Sequence, residues 1–149
     1  MSKVVILDTT PLGILANPKL TQTVRTCRRW VSALIAGGCT VVIPEIADYE
    51  VRRELIRGGR TLSIQSLDAL AVQFNYLPLN TVAMRITAEL WAYARNIGQP
   101  ISHDRSLDCD TVLCAQTHAL SNPTAIIATG NPAHLVRFAP AADWQTIAP

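Results

Sequence analysis

Val4-Val5-Ile6-Leu7-Asp8-Thr9-Thr10-Pro11 is the stretch from which the fold can be read. Four apolar residues run without interruption and stop at an acid. So short an apolar run suits a strand covered on both faces, as in a parallel sheet flanked by helices. Asp8 then falls directly beyond the strand's carboxyl end, the edge at which open α/β sheets bind ligands. An aspartate there can hold a metal or act as a base. Equally, Asp8 or Thr9 can cap a short helix that starts around Pro11.

The same strand signal returns at Thr40–Ile43, Tyr76–Leu79 and Ala125–Thr129. Helix-period segments separate these runs. Val24, Cys27, Val31, Leu34 and Ile35 recur at helical spacing before Gly37-Gly38, and Ala47, Val51 and Leu55 do so between Pro44 and Gly58-Gly59. A shorter helix is predicted over Ser63–Gln73. The clearest covers Thr81–Ile97, with Ile86, Leu90, Tyr93, Ala94 and Ile97 as its stripe and Gly98 and Pro100 closing it. Another begins near Asp108, with Val112, Ala115 and Ala119 inside, and Asp143–Ile147 suits an edge strand. Strands alternating with helices in this way predict one α/β domain over residues 1–149, a three-layer sandwich with a mainly parallel central sheet.

Composition narrows the class. Hydrophobic residues make up 49% of the 149 and charged residues 16%, which argues against disorder. A mean hydropathy of +0.22 is high for a small domain and favours a buried interface such as a homodimer's. No apolar run approaches the roughly 18 residues that cross a bilayer, and Val4–Leu7 follows the start without a signal-peptide pattern. Cys27, Cys39, Cys109 and Cys114 form no CxxC pair and read as packed thiols, so a cytoplasmic location is expected. A net charge of +2 is too small to mark a nucleic-acid binder. Lysine, however, occurs only at Lys3 and Lys19, and every other cation is arginine. Arg25, Arg28 and Arg29 form one cluster, and Arg52, Arg53, Arg57 and Arg60 another. The guanidinium fork suits phosphate oxygens, and solvated helix faces explain such clusters equally well.

Further acids follow the other strands. Glu50 lies on the helix after the second strand, among Glu45, Asp48 and Glu54. Asp108 and Asp110 open an otherwise apolar helix, where the dipole favours one acid but capping alone explains two poorly. Thr129-Gly130-Asn131 ends the Ala125–Thr129 strand with polar groups. Several hard oxygen ligands in one cleft repel each other unless a cation binds. Mg²⁺ or Mn²⁺ takes such ligands, keeps waters and can activate water against a phosphodiester. Arginines would then grip the flanking phosphates.

The order of these segments resembles the PIN-domain nucleases, in particular the VapC-type toxins of bacterial toxin–antitoxin pairs. Four segments carry the likeness over most of the chain: Ile6-Leu7-Asp8-Thr9, then Ile43 to Glu50, then Asp110-Thr111-Val112-Leu113-Cys114-Ala115-Gln116-Thr117, then Ile126 to Leu135. His134-Leu135 stands where many members have Asp-Phe, which removes one acid and bears on whether a second metal binds. The resemblance implies a Rossmann-like PIN fold, Mg²⁺- or Mn²⁺-dependent hydrolysis of RNA, dimerisation, and a small antitoxin partner covering the acidic cleft. It implies that Asp8, Glu50 and Asp110 are catalytic and hold the metal with Asp108. Thr9, Thr129 and Asn131 would support them, and Arg52, Arg53 and Arg57 would contact RNA.

Other chemistries fit less well. A haloacid-dehalogenase-type phosphatase needs a second aspartate where Thr10 stands, neither GxGxxG nor GxxxxGK[ST] occurs, and no paired spacing makes a zinc site of the cysteines with His103, His118 and His134. The alternative from another class is a catalytically inactive PIN-fold module that binds RNA or protein, to which His134 points.

Overall fold

The structure, a computed structural model, describes residues 2–99, 108–133 and 135–149. Its elements are β1 (Val4–Leu7), α1 (Thr9–Ala16), α2 (Gln22–Ala36), β2 (Thr40–Pro44), α3 (Glu45–Arg57) and α4 (Thr61–Gln73). Then come β3 (Asn75–Leu77), α5 (Thr81–Asn96), α6 (Cys109–Ala119), β4 (Ala125–Thr129), β5 (Ala141–Asp143) and a 3₁₀ turn at Trp144–Thr146. The five strands form one sheet in the order β3-β2-β1-β4-β5, and every described pairing is parallel. The expected three-layer α/β architecture is the observed one.

Alternation along β1 explains its unbroken apolar run. Val5 and Leu7 face a core with Leu12, Leu15, Cys27, Val31, Leu34 and Leu67, contributed by α1, α2 and α4. Val4 and Ile6 face a second core with Ala94, Val112, Leu113, Leu135 and Phe138, on the α5 and α6 side. Both faces are dry, so no polar residue interrupts the strand. Helix α3 straddles the layers: Ile46 joins the second core, and Ala47 and Val51 the first. Truncating any fully buried leucine of these sets to alanine costs about 2–5 kcal/mol. No helix among the described residues is long and apolar enough to cross a membrane.

Two strand boundaries and one burial pattern differ from the sequence expectation, each for a local reason. The β3 ladder ends at Leu77 because Pro78 lacks an N–H and the Leu79 amide donates to Glu45 Oε1 at 2.8 Å. The last strand lies upstream of Asp143–Ile147, over Ala141–Asp143. Asp143 Oδ1 accepts from the Gln145 amide at 2.9 Å and turns the chain there into the 3₁₀ segment. On α5 the buried residues are Ala83, Thr87 and Ala94, whereas Tyr93 and Ile97 are exposed. Thr87 is tolerated inside because its hydroxyl donates back to the Ala83 carbonyl at 2.8 Å, which a hydropathy pattern does not reveal.

Candidate metal centre at the carboxyl edge of the sheet

Parallel pairing decides where the acids meet. Leu7 is level with Ala128, so Asp8 emerges beside Thr129. The Asp8 amide continues the ladder to the Ala128 carbonyl at 3.0 Å, which fixes its backbone. Its carboxylate has two protein partners. Oδ1 accepts from the Thr9 amide at 2.7 Å, and Oδ2 accepts from the Thr129 hydroxyl at 2.7 Å. Asp8 is therefore the N-cap of α1 as well as the acid at the strand end, and the two roles use the same side chain. Burial pushes its pKa up, against the Thr129 and Thr9 hydrogen bonds, with the Asp110 charge adding to the rise.

Glu50 and Asp110 come to this point from opposite elements, α3 and α6. The Glu50 side chain is 21% exposed. Its pKa is pushed up to about 7, first by burial, then by the charges of Asp8 and Asp110, with Arg53 and a hydrogen bond from the Cys109 thiol opposing the rise. Cys114, buried beneath, is raised to about 12 by burial and by the same two aspartates. Asp8, Glu50 and Asp110 thus form one electrostatic cluster, in which the Asp110 charge acts on Asp8 and both aspartates act on Glu50.

Asp108 is placed differently. It occupies the N-cap position of α6 without capping it, and its Oδ2 lies 3.7 Å from Nη1 of Arg95 on α5. Arg95 in turn covers the Trp91 ring, its guanidinium carbon 3.8 Å from the centroid. The other acids of α3 are engaged in structural contacts. Glu45 accepts from Leu79, and Glu54 accepts from Arg57 Nε at 3.0 Å. Thr9 supplies the amide to Asp8, and the exposed Asn131 donates its backbone amide to Thr129 Oγ1 at 3.2 Å. His134, like His103 and Asp104, lies outside the described residues.

The three α3 arginines have distinct surroundings. Arg53 lies 3.8 Å from Glu50 Oε2 and stacks on the Tyr49 ring at 5.1 Å. Arg52 bridges Asp48 at 3.0 Å and Asp68 of α4 at 2.8 Å. Arg57 sits nearly two turns beyond Glu50, paired with Glu54 and 79% exposed.

Several supporting residues gave no signal in the sequence. Cys109 lies between two candidate acids in the chain and hydrogen-bonds a third, Glu50, from another helix. Gly130 leaves room for α1: a Cβ there would stand 2.8 Å from Thr10 Oγ1 and 2.9 Å from Thr10 Cγ2. Buried Asp48 accepts from the Tyr76 hydroxyl at 2.7 Å and from Arg52, tying α3 to β3. Buried Gln116 donates to the Leu77 carbonyl at 3.0 Å and accepts from the Ile46 amide at 3.3 Å, fixing α6 against the start of α3. Only the adjacency of Cys109 to Asp108 and Asp110 was visible beforehand.

The donors at this edge are carboxylates, a hydroxyl and backbone amides, and the ligating atoms are hard oxygens suited to Mg²⁺ or Mn²⁺. Among the described residues no three acidic, histidine or cysteine side chains close around a common point as a finished ligand shell. The carboxylates are instead near enough for Asp110 to help raise Asp8, and for Asp8 and Asp110 to help raise Glu50. Mutual repulsion of this kind is what a divalent cation relieves, so the residues fit such an ion in donor type and charge.

No protein-family model and no curated protein matches the sequence. Solved structures do match in shape. A chain from VapBC2 of Rickettsia felis, bound to a DNA fragment from their promoter, superposes with a TM-score of 0.72 at 16% identity, covering 95% of this chain and 98% of that one. A chain of VapBC-1 from nontypeable Haemophilus influenzae gives 0.67 at 19% identity, with 96% and 99% covered. FitAcB from Neisseria gonorrhoeae gives 0.65 at 18%, again with 96% and 99% covered. Likeness over nearly the full length of both chains shows that this chain has the PIN-domain fold of the VapBC structures.

Proposed function

We propose that the chain is a divalent-metal-dependent endoribonuclease acting as the toxin of a toxin–antitoxin pair. The observation that carries the reading is the cluster of Asp8, Glu50 and Asp110 at the carboxyl edge of the sheet. There Glu50 is pushed up to about 7 by burial and by the other two acids. Arg53, 3.8 Å from Glu50 Oε2, opposes that rise without cancelling it.

In this reading Asp8, Glu50 and Asp110 hold Mg²⁺ or Mn²⁺. Asp108 has a competing partner in Arg95 and contributes second, beside Asn131. When bound, the cation neutralises the cluster, orients the phosphodiester and activates water for hydrolysis. Thr9 and Thr129 fix the Asp8 carboxylate through one hydrogen bond to each oxygen, so Asp8 enters the reaction already oriented. Arg53, 3.8 Å from Glu50 Oε2 at the edge of the cluster, would contact an RNA phosphate. Arg52 and Arg57 would contact phosphates farther along α3, each against its present acidic partner. The VapBC likenesses support an antitoxin as protein partner, and the exposed Ile56, Val82 and Met84 leave apolar surface for a homodimer.

Cleavage of single-stranded RNA in Mn²⁺, in Mg²⁺ and in EDTA, with Asp8→Asn beside wild type, tests the proposal. Products that need the metal and vanish in Asp8→Asn are expected. Intact RNA with well-folded wild type, free of any co-purified partner, would move the assignment to a binding module.

A further inference from the structure

Helix α2 carries three arginines, Arg25, Arg28 and Arg29, and no acidic residue. All three are exposed, on the side away from the buried Val24, Cys27, Val31 and Leu34. Spacing of three and four residues puts them on one stripe. Among the described residues none of them makes an ion pair, whereas Arg52, Arg53, Arg57 and Arg95 each face a carboxylate. Their guanidinium donors therefore stay directed to solvent.

Position gives this stripe its meaning. The thiol of Cys27, the residue before Arg28, donates to the Pro11 carbonyl at 3.8 Å. Pro11 lies in the first turn of α1, three residues after Asp8. The half of α2 that carries the arginines is thus packed against the first turn of α1, the helix that Asp8 caps, at the same carboxyl edge of the sheet as the carboxylate cluster.

We propose that Arg25, Arg28 and Arg29 form a phosphate-backbone track for single-stranded RNA, leading the strand to the carboxylate site; the proposal rests on the nuclease reading above. Arginine's five-donor fork matches phosphate oxygens bidentately and cannot lose its charge. The contacts are to backbone phosphates, so the track confers reach and affinity without base preference.

The test is binding of a fluorescent single-stranded RNA in EDTA, so that neither metal nor cleavage intervenes, across a range of salt concentrations. Each phosphate contact on a single strand adds about 0.7 to the slope of log affinity against log salt. Arg25→Gln/Arg28→Gln/Arg29→Gln should lower that slope by about 2 and weaken binding at least ~10-fold near 0.1 M salt. Glutamine keeps the helix propensity of the stripe. Lys3→Gln/Arg85→Gln removes positive charge elsewhere, before the start of β1 and on α5, and should leave the slope nearly unchanged. An equal loss per charge in both variants would show diffuse attraction and overturn the track, as would wild type that binds no RNA. Tighter binding of polyglutamate than of RNA through the same three arginines would assign the stripe to an acidic protein and also overturn it. The two readings fail separately. Loss of RNA binding in the triple variant of a chain that cuts nothing in Mn²⁺ keeps the track and removes the nuclease. Undiminished binding in the triple variant of an active nuclease does the reverse.

Discussion

Replacing Glu50 by glutamine should stabilise the metal-free protein at neutral pH and change little in acid. In the fold its carboxyl is pushed up to about 7 by burial and by Asp8 and Asp110, whereas the ordinary value is 4.5. Between those values the unfolded chain has released a proton that the folded chain still holds, so stability falls as pH rises. Below about 4.5 both states are protonated and the penalty is absent; above about 7 both are ionised and it is complete. A rise of that size corresponds to about 3 kcal/mol, an upper bound because salt screens the two carboxylate contributions. Glu50→Gln cannot ionise, so its urea midpoint should match wild type near pH 4 and exceed it near pH 8 in EDTA, at roughly constant slope. Mn²⁺ should reverse the order at the higher pH, because a cation that binds only the folded state stabilises wild type through the ligand it retains. Equal midpoints at both pH values, or a less stable variant at pH 8 without metal, would refute the electrostatic reasoning.

Other expectations follow from single contacts. Asp8→Asn keeps one oxygen to accept from the Thr9 amide, and its NH2 group can donate to the Thr129 hydroxyl oxygen, so thermal unfolding should stay within about 1 kcal/mol of wild type while cleavage falls at least ~100-fold. Gly130→Ala should cost about 1–3 kcal/mol, because its Cβ meets Thr10, and Thr10→Ala should recover most of that loss in a double-mutant cycle of urea unfolding. Tyr76→Phe should cost about 1 kcal/mol by urea unfolding, and Asp48→Ala more, since it releases both Tyr76 and one arm of Arg52.

The fold was legible because the sheet is buried on both faces. Val4–Leu7 and Ala125–Thr129 could be read directly as strands, since parallel pairing between covered layers leaves no polar alternation to confuse the signal. Elements whose polar groups are satisfied locally were misjudged. Thr87 enters the core by bonding to its own helix, and Asp143 ends a strand by capping a turn, neither of which changes hydropathy. The candidate site was legible as far as strand ends could be named. Asp8 follows β1 without a gap, so its place was fixed by topology. Glu50 and Asp110 approach from helices, where only tertiary packing shows that they face Asp8 while Asp108, two residues from Asp110, faces Arg95. The Cys109 contact to Glu50 and the Gly130 clearance for Thr10 are juxtapositions of distant segments and have no signature along the chain.

The central claim is that Asp8, Glu50 and Asp110 jointly hold the cation with which RNA is cut. Its most direct test follows bound Mn²⁺ by electron paramagnetic resonance and RNA product together in one titration, with wild type and Asp110→Asn side by side. Wild type should bind Mn²⁺ and gain cleavage over the same concentration range, and Asp110→Asn should lose both while remaining folded. Undiminished Mn²⁺ binding and cleavage in Asp110→Asn would contradict the account.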